Sequence, residues 1–176
     1  MIDLYTIELN SERLHLSPVT IQDADSIFQE FNFQVTKYMY PKPANNIAET
    51  KEVINRFISK RQSGTDLVMV IAKKDSREFV GLVGIHNIDT STPEFGIWTK
   101  LSAHGNGYGR EAVNLLKTWI DSNLTYEYLS YPVDKLNLAS RKIPESMGGI
   151  IEREFEQINQ SGVILNEVEY RIYPTT

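Results

Sequence analysis

The chain has 176 residues, including 18 Lys plus Arg and 23 Asp plus Glu, and its net charge is −5. Its length corresponds to one domain, predicted over residues 1–176, and its 41% hydrophobic content is enough for a buried core, which excludes a disordered protein. The negative charge argues against nucleic acid as a partner, and the absence of cysteine excludes disulfides, thiolate nucleophiles and cysteine-based zinc sites.

Apolar periodicity and β-branched content predict the helices and strands. In chain order they are a strand at residues 13–17, helices at 21–32 and 46–64, strands at 67–72, 79–86 and 94–99, a helix with its apolar face at 112–120, a strand at 128–133, a helix at 137–147, and strands at 150–157 and 167–173. The three consecutive strands predict an antiparallel meander. The two later helices each connect two strands, which predicts that part of the sheet is parallel. The predicted fold class is therefore a mixed α/β or α+β sheet.

Polar residues mark where the first two helices begin. Thr20 and Asp23 form a pair that resembles a capping box, and Asn46 with Glu49 can cap the second helix. Residues 36–45, between these helices, contain two prolines and are expected to form a loop. The first third of the chain is thus predicted to hold a helix–loop–helix segment.

A glycine-rich turn between a strand and a helix is the most informative segment. Gly105, Gly107 and Gly109 allow backbone amides to approach a ligand, and the free amides of a helix N-terminus favour an anion. The turn therefore indicates a pyrophosphate site with Arg110 beside it, or alternatively a turn that only reverses the chain. Its G-x-G-x-G spacing and the lack of G-x-x-x-x-G-K-[ST] argue against a Rossmann site and exclude a P-loop.

The chain resembles the GNAT acetyltransferases, and within them the RimJ/RimL-like branch. The residues that carry the resemblance are Glu94-Phe-Gly-Ile-Trp, His104-Gly-Asn-Gly-Tyr-Gly-Arg-Glu-Ala, Asn137-Leu-Ala-Ser140 and Gly148. It covers nearly the whole chain and implies a mostly antiparallel twisted sheet with about four flanking helices. It also implies acetyl-CoA as the donor and a primary amine as the acceptor, either a protein N-terminus or a small molecule. A non-catalytic acyl-CoA-binding module is the alternative function.

The resemblance also implies which residues contact acetyl-CoA. Those of the turn are His104, Gly105, Asn106, Gly107, Tyr108, Gly109 and Arg110, whose amides from Gly105 onward would hold the pyrophosphate. The strand backbone at Ile97, Trp98 and Thr99 would pair with the pantetheine arm as an added strand does. Asn137 would bond the pantetheine, and Ser140 would face the thioester sulfur. No metal is expected.

Acetyl transfer to an amine needs a base, because an alkyl ammonium with a pKa near ~10 is mostly protonated at neutral pH. Related enzymes use a glutamate on this strand, so Glu94 is the predicted base, directly or through water, and His86 is the alternative. A backbone N–H near Trp98 would stabilise the oxyanion. Ser140 is predicted to serve as the acid that donates a hydrogen bond or relays a proton to the leaving thiolate, or alternatively only to bond back to a carbonyl of its own helix. Many family members use a tyrosine on this helix, but residues 137–147 contain none.

Three residues depart from the family pattern. His104 stands where Arg or Gln is expected, and Gly149 replaces the usual aromatic residue after Gly148. Pro144 lies inside the predicted last helix, where it cannot donate to the carbonyl of Ser140 and should kink the helix. His104 is expected to weaken one contact on the phosphate side, Gly149 to remove one packing contact on the following strand, and Pro144 to change the position of Ser140.

The acceptor is expected to bind between the first two helices. Aromatic residues in this region are Phe31, Phe33, Tyr38 and Tyr40. They predict either an aromatic rim that recognises a cation or ordinary packing, and the net negative charge favours a cationic acceptor. No apolar run reaches the ~20 residues that a membrane span needs. A cytoplasmic protein without a membrane partner is therefore expected, and the sequence leaves its assembly open, a homodimer included.

Overall fold

One continuous sheet organises the structure, a computed structural model that describes residues 3–175. The strands are β1 (Leu9–Asn10), β2 (Leu14–Pro18), β3 (Leu67–Lys73), β4 (Phe79–His86), β5 (Glu94–Thr99), β6 (Leu129–Asp134), β7 (Ile150–Ile158) and β8 (Ile164–Ile172). The helices are α1 (Ala24–Glu30), α2 (Ile47–Gln62), α3 (Tyr108–Asn123) and α4 (Leu138–Ser146). The strand order is β1-β2-β3-β4-β5-β6-β8-β7, and within the described residues only β5 and β6 pair in parallel.

The predicted fold class is confirmed, and the meander is β3–β4–β5. The chain segment through α3 connects the parallel neighbours β5 and β6, as predicted. The segment through α4 connects β6 to β7, which are separated in the sheet by β8, so these two strands do not pair. The mostly antiparallel character of the sheet follows, because every other neighbouring pair within the described residues runs antiparallel.

Several predicted boundaries are wrong by a few residues. The first helix ends at Glu30 rather than residue 32, because Phe31 leaves the helical conformation with φ −84° and ψ 77°. The predicted loop contains a short 3-10 helix at Val35–Tyr38. Strand β6 begins one residue later than predicted, and β8 begins three residues earlier because Ile164 pairs with Ile158 across the hairpin.

The predicted helix starts are confirmed by their hydrogen bonds. The Asp23 carboxylate accepts the backbone N–H of Thr20 at 2.7 Å, and the Asn46 side chain accepts the N–H of Glu49 at 3.1 Å. Each bond satisfies a backbone group that the helix cannot pair internally. These caps fix where the chain turns from strand or loop into the helices that cover one face of the sheet.

Apolar side chains are buried on both faces of the sheet. The run along β3 is buried from Leu67 to Ala72, as expected for a strand covered on both sides. Helices α1 and α2 cover one face, and α3 and α4 cover the other. Core residues on the α1 and α2 face are Val19, Ala24, Ile27, Ile54, Val68, Val70 and Leu82. The central strands of the sheet are therefore packed by helices on both faces.

Strands β5 and β6 separate soon after they meet. Their pairing has one register position, Glu94 opposite Ser130, and the Ser130 N–H donates to the Pro93 carbonyl at 2.8 Å. Beyond this point β5 continues to Thr99 beside β4, and β6 continues to Asp134 beside β8. The two strands do not pair with each other again. The separation leaves a gap between β5 and β6 in the middle of the sheet.

Gly149 occupies a position where no side chain fits. Its N–H donates to the Pro144 carbonyl at 2.8 Å, and an added Cβ would lie 2.7 Å from that oxygen. The close contact accounts for glycine at the position where the family has an aromatic residue. Pro144 itself is accommodated inside α4, which continues past it to Ser146.

We expect Gly149→Ala to lower the free energy of unfolding by about 1–3 kcal/mol, because the added methyl group displaces the backbone of Pro144. Thermal and urea unfolding would measure the loss. Ser161→Ala, at an exposed position in the β7–β8 turn, is the control and should change stability by less than about 0.5 kcal/mol. Equal stability of the Gly149→Ala variant and the unchanged protein would contradict the close contact.

Candidate active site

The separation of the two strands leaves part of the β5 backbone free. The N–H of Lys100 donates to the Val80 carbonyl at 2.7 Å, and in an antiparallel pair the bonding direction alternates along the strand. Trp98 therefore bonds towards β4, whereas the N–H and C=O groups of Ile97 and Thr99 point to the β6 side. An extended ligand can pair with this edge as a further strand would.

The glycine turn places free amides at the end of this edge. Gly107 caps α3 in the left-handed conformation with φ 75°, which favours glycine. The first intrahelical bond within α3 runs from the Glu111 N–H to the Gly107 carbonyl at 3.1 Å. The N–H groups of Gly107, Tyr108, Gly109 and Arg110 thus have no helical partner. Such a group of amides at the positive end of a 16-residue helix suits an anion.

Close packing joins the turn to the cleft. An added Cβ on Gly109 would lie 3.4 Å from Ile143 Cδ1 and 4.0 Å from both Ile97 Cδ1 and Thr99 Cγ2. Because Gly109 has no side chain, the first turn of α3 packs directly against β5 and α4. The free amides of the turn and the free backbone of β5 therefore belong to one site.

Two side chains of the turn are used inside the protein. His104 Nε2 donates to the Thr99 carbonyl at 2.9 Å, and Asn106 Nδ2 donates to the Ala103 and His104 carbonyls at 3.0 and 3.2 Å. The imidazole at the family's Arg or Gln position thus fastens the turn to the end of β5. It also occupies one of the two carbonyls on the free edge.

Arg13, which sequence reasoning did not connect with the glycine turn, holds the turn from outside. Its guanidinium pairs with the Glu111 carboxylate at 2.6 Å, donates to the Asn106 carbonyl at 3.0 Å and lies 4.7 Å from the centre of the Tyr108 ring. The Glu111 carboxylate also accepts from the Ser11 hydroxyl at 2.6 Å. No local pattern could reveal this clamp, because its partners lie about a hundred residues apart.

A second part of the site is a cleft of about 600 Å³ on the α1 and α2 face of the sheet. Its floor is β4 and β5, and its walls are α1, α2, the loop between them and the β7–β8 turn. Trp98 lies in this cleft and packs against Phe31, with ring centres 4.9 Å apart. Of the four predicted aromatic residues, Phe31 and Tyr40 line the cleft, whereas Phe33 is 72% exposed and Tyr38 packs beside Lys37.

The turn between β7 and β8 holds the loop that borders this cleft. Asn159 Nδ2 donates to the Met39 carbonyl at 3.2 Å, and the N–H of Gln160 donates to the Tyr40 carbonyl at 3.0 Å. The N–H of Lys42 in turn donates to Gln160 Oε1 at 3.2 Å. One wall of the cleft is thus tied to a hairpin near the end of the chain.

Glu94 begins β5 and lines the cleft. Burial raises the pKa of its carboxyl above the ordinary value, and nearby Glu169 adds to this, while His86 and Arg153 oppose it. A carboxylate with a raised pKa takes up a proton more readily near neutral pH, as a general base must. Its neighbour across the strand pair is His86, whose Nδ1 lies 2.6 Å from Asp66 Oδ2.

Ser140 lies in the first turn of α4, behind the cap made by Asn137. The Asn137 side-chain oxygen accepts the Ser140 N–H at 3.3 Å, which leaves the amide Nδ2 donors for a ligand. The Ser140 hydroxyl is 2.8 Å from the hydroxyl of Tyr131 on β6. Burial raises the pKa of Tyr131, so this phenol stays protonated. Sequence reasoning missed Tyr131 because it sought a tyrosine on the helix, not on the strand beneath it.

Among residues 3–175, no group of three or more His, Asp or Glu side chains could hold a metal ion. A search of the same residues found no helix that is both long and apolar enough to cross a membrane.

Comparisons with known proteins agree on one family. Residues 13–150 match the family model described as an acetyltransferase (GNAT) domain. The chain is 27% identical over 143 residues to YoaA of Bacillus subtilis, an uncharacterized N-acetyltransferase, covering 80% of this chain and 81% of that protein.

Solved structures share the fold at lower sequence identity. RimL, a ribosomal L7/L12 alpha-N-protein acetyltransferase in complex with coenzyme A, superposes with a TM-score of 0.83 at 16% identity, covering 95% of this chain and 98% of that one. The microcin C7 self-immunity acetyltransferase MccE, in complex with acetyl-CoA and AMP, superposes with a TM-score of 0.81 at 21% identity, covering 93% of each chain.

We expect Glu94→Gln to stabilise the protein at neutral pH, because the variant removes a charge that burial disfavours. A raised folded-state pKa means that ionisation costs stability. This cost is absent below the unfolded-state pKa of 4.5. It grows as the pH rises from that value through the folded-state pKa. Thermal unfolding at two pH values measures it, at about 2–4 °C in Tm per kcal/mol.

The difference in Tm between Glu94→Gln and the unchanged protein should be positive at pH 8 and close to zero at pH 4. Glu127→Gln, which removes a charge at an exposed position, is the control and should shift Tm equally little at both. A Glu94→Gln variant that is less stable at pH 8 than at pH 4, relative to the unchanged protein, would contradict the electrostatic cost.

Proposed function

The chain belongs to the GNAT acetyltransferase family, and we propose that it transfers an acetyl group from acetyl-CoA to a primary amine by direct attack in a ternary complex. The observation that carries the proposal is the arrangement of β5. Its first residue is the partly buried carboxylate of Glu94, and its other end carries a free backbone edge that continues into the free amides of the glycine turn. One strand would thus join the proposed base to the proposed site for the pyrophosphate and the thioester of acetyl-CoA.

The donor would be held mostly by backbone groups. The N–H groups of residues 107–110 suit the pyrophosphate, and the free edge at Ile97 and Thr99 suits the amides of the pantetheine arm. Asn137 Nδ2 adds a side-chain donor beside α4. The bound coenzyme supplies an acetyl group activated as a thioester. These residues would orient it so that the acetyl carbon faces the cleft that contains Glu94.

Glu94 would take a proton from the acceptor ammonium and so free the lone pair that attacks. Its raised pKa lessens the penalty of removing a proton from a group with a pKa near ~10. A backbone N–H on the free edge of β5, next to Trp98, would stabilise the oxyanion.

Ser140 would donate a proton to the departing sulfur. Tyr131 strengthens this assignment: as a buried phenol that stays protonated, it can donate to the Ser140 oxygen and leave the serine hydrogen free for the ligand. A thiolate with a pKa near ~8.5 needs only this modest help to leave.

A cationic acceptor fits the charges of the cleft. Glu49, Glu52 and Glu94 line it, against Lys42 and Arg56. An alkyl ammonium or a protein N-terminus carries the complementary charge. RimL, whose name describes acetylation of a protein N-terminus, supports including peptide acceptors among the candidates.

The test is release of free coenzyme A from acetyl-CoA with a panel of peptides and small amines. We expect release that depends on an added amine, with acetylated product found by mass spectrometry. Glu94→Gln should lower kcat about 100-fold, and Ser140→Ala about 10-fold, with coenzyme A affinity retained, because each removes a proton-transfer group. Tight binding of coenzyme A with no release for any amine, and variants that behave alike, would favour the non-catalytic module.

Arg13→Ala should weaken coenzyme A binding about 10-fold, because the turn loses the clamp that fixes its amides. Isothermal titration calorimetry measures the change. Lys51→Ala removes an equal positive charge from an exposed position on α2 and should bind coenzyme A as the unchanged protein does. Equal weakening in both variants would indicate a general charge effect rather than loss of the clamp.

A further inference from the structure

His86 has space reserved for it on the floor of the cleft. Gly84 on β4 and Gly96 on β5 are register partners, and neither has a side chain on this face of the sheet. His86 Nε2 lies 3.0 Å from where a Cβ on Gly96 would stand and 3.4 Å from that on Gly84. The imidazole therefore extends across the glycine pair, with Nε2 towards the middle of the cleft that Glu94 also lines.

Asp66 holds the other side of the ring. Its carboxylate is almost fully buried and lies 2.6 Å from His86 Nδ1, while it also accepts from Lys60 Nζ at 3.2 Å and from the Asn87 N–H at 3.3 Å. Burial alone would raise the pKa of Asp66, but the bonds from His86 and Lys60 outweigh it and keep the pKa below the ordinary value. An ionised carboxylate only accepts, so Nδ1 must carry the hydrogen.

We propose that Asp66 is a positioning residue that holds His86 as the Nδ1–H tautomer, and that Nε2 of His86 is the second proton acceptor of the acetyl-transfer reaction. This inference rests on the proposed function. The geometry places a hydrogen on Nδ1, because a ring nitrogen that faces a buried carboxylate donates to it. In the neutral ring the other nitrogen, Nε2, then keeps its lone pair.

The acceptor nitrogen gives up two protons during the reaction, and two separate groups can take them in turn. An ammonium and a thioester give an amide, a thiol and one released proton. The acceptor nitrogen loses one proton to Glu94 before attack. It loses a second to His86 Nε2 as the carbon–nitrogen bond forms and the carbon–sulfur bond breaks, and the sulfur gains one from Ser140. Solvent water then takes the protons from Glu94 and His86 and returns one to Ser140, which leaves one proton released overall. Because Glu94 and His86 are register partners on adjacent strands, one acceptor nitrogen can reach both in turn.

A histidine that only fills the space above two glycines would not need a buried carboxylate. Burying the negative charge of Asp66 without a partner would destabilise the fold. The Lys60 side chain, which is 55% exposed, cannot by itself neutralise the Asp66 charge well. The pair therefore does more than pack. Lys60 also provides the matched control, since it contacts the same carboxylate oxygen without contacting His86.

Two-bond ¹H–¹⁵N NMR on the protein without ligand reads the tautomer directly. We expect the Nδ1–H tautomer of His86 in the unchanged protein and in Lys60→Ala. In Asp66→Asn we expect a shift towards Nε2–H, because an amide holds the Nδ1 hydrogen less strongly. An Nε2–H tautomer in the unchanged protein would overturn the inference whether or not an acceptor amine is known.

Steady-state kinetics then tests the proton transfer. Asp66→Asn should lower kcat at least ~10-fold with an unchanged KM for acetyl-CoA, whereas Lys60→Ala should lower it less than twofold. His86→Ala should lose more, and added imidazole should restore part of its rate. Full activity of Asp66→Asn, or no response of His86→Ala to imidazole, would overturn this assignment while leaving amine acetylation by the unchanged protein standing.

Discussion

The single parallel bridge between Glu94 and Ser130 is the constraint on which the site depends. A continued β5–β6 ladder would satisfy the backbone of both strands and leave no opening in the sheet. Because the ladder stops after one position, the backbone groups of Ile97 and the N–H of Thr99 have no partner on β6, while His104 takes the Thr99 carbonyl. The α3 N-terminus packs against the end of the same strand. The glycines of the turn, the cap of α4 and the buried phenol of Tyr131 then surround a gap that the sheet itself created.

One charged group in the cleft is placed where folding alone would not favour it. Glu94 is held in partly buried surroundings beside Glu169, and burial raises the pKa of its carboxyl. Asp66 is almost fully buried too, but its bonds from His86, Lys60 and Asn87 outweigh that burial. The rest of the fold supplies the stability that the charge of Glu94 costs, chiefly through the apolar residues on both faces of β3 and β4. A buried carboxyl that lowers the free energy of unfolding is typical of a catalytic centre, where a reactive group is kept at some cost in stability.

Sequence reasoning could predict the parts of the structure that local patterns encode. Helix periodicity, capping pairs and β-branched runs predicted the order of the main elements, and the glycine turn with the Asn137 segment indicated the site. Strand β1 was missed because two residues carry no period, and Tyr131 was missed because its role depends on α4 lying above β6. Arg13 and Asp66 act on partners that only the folded chain brings near them, so no spacing in the sequence points to either.

The hydrogen bonds from Asn159 and Gln160 to the loop at residues 39–42 join segments more than a hundred positions apart. During translation α1 and α2 leave the ribosome before residues 159 and 160 are made, so this wall of the cleft cannot be completed until the β7–β8 hairpin has been synthesised. A nascent chain therefore holds the glycine turn and the free edge of β5 before this wall exists, and the proposed selectivity for an acceptor would depend on the segment made later.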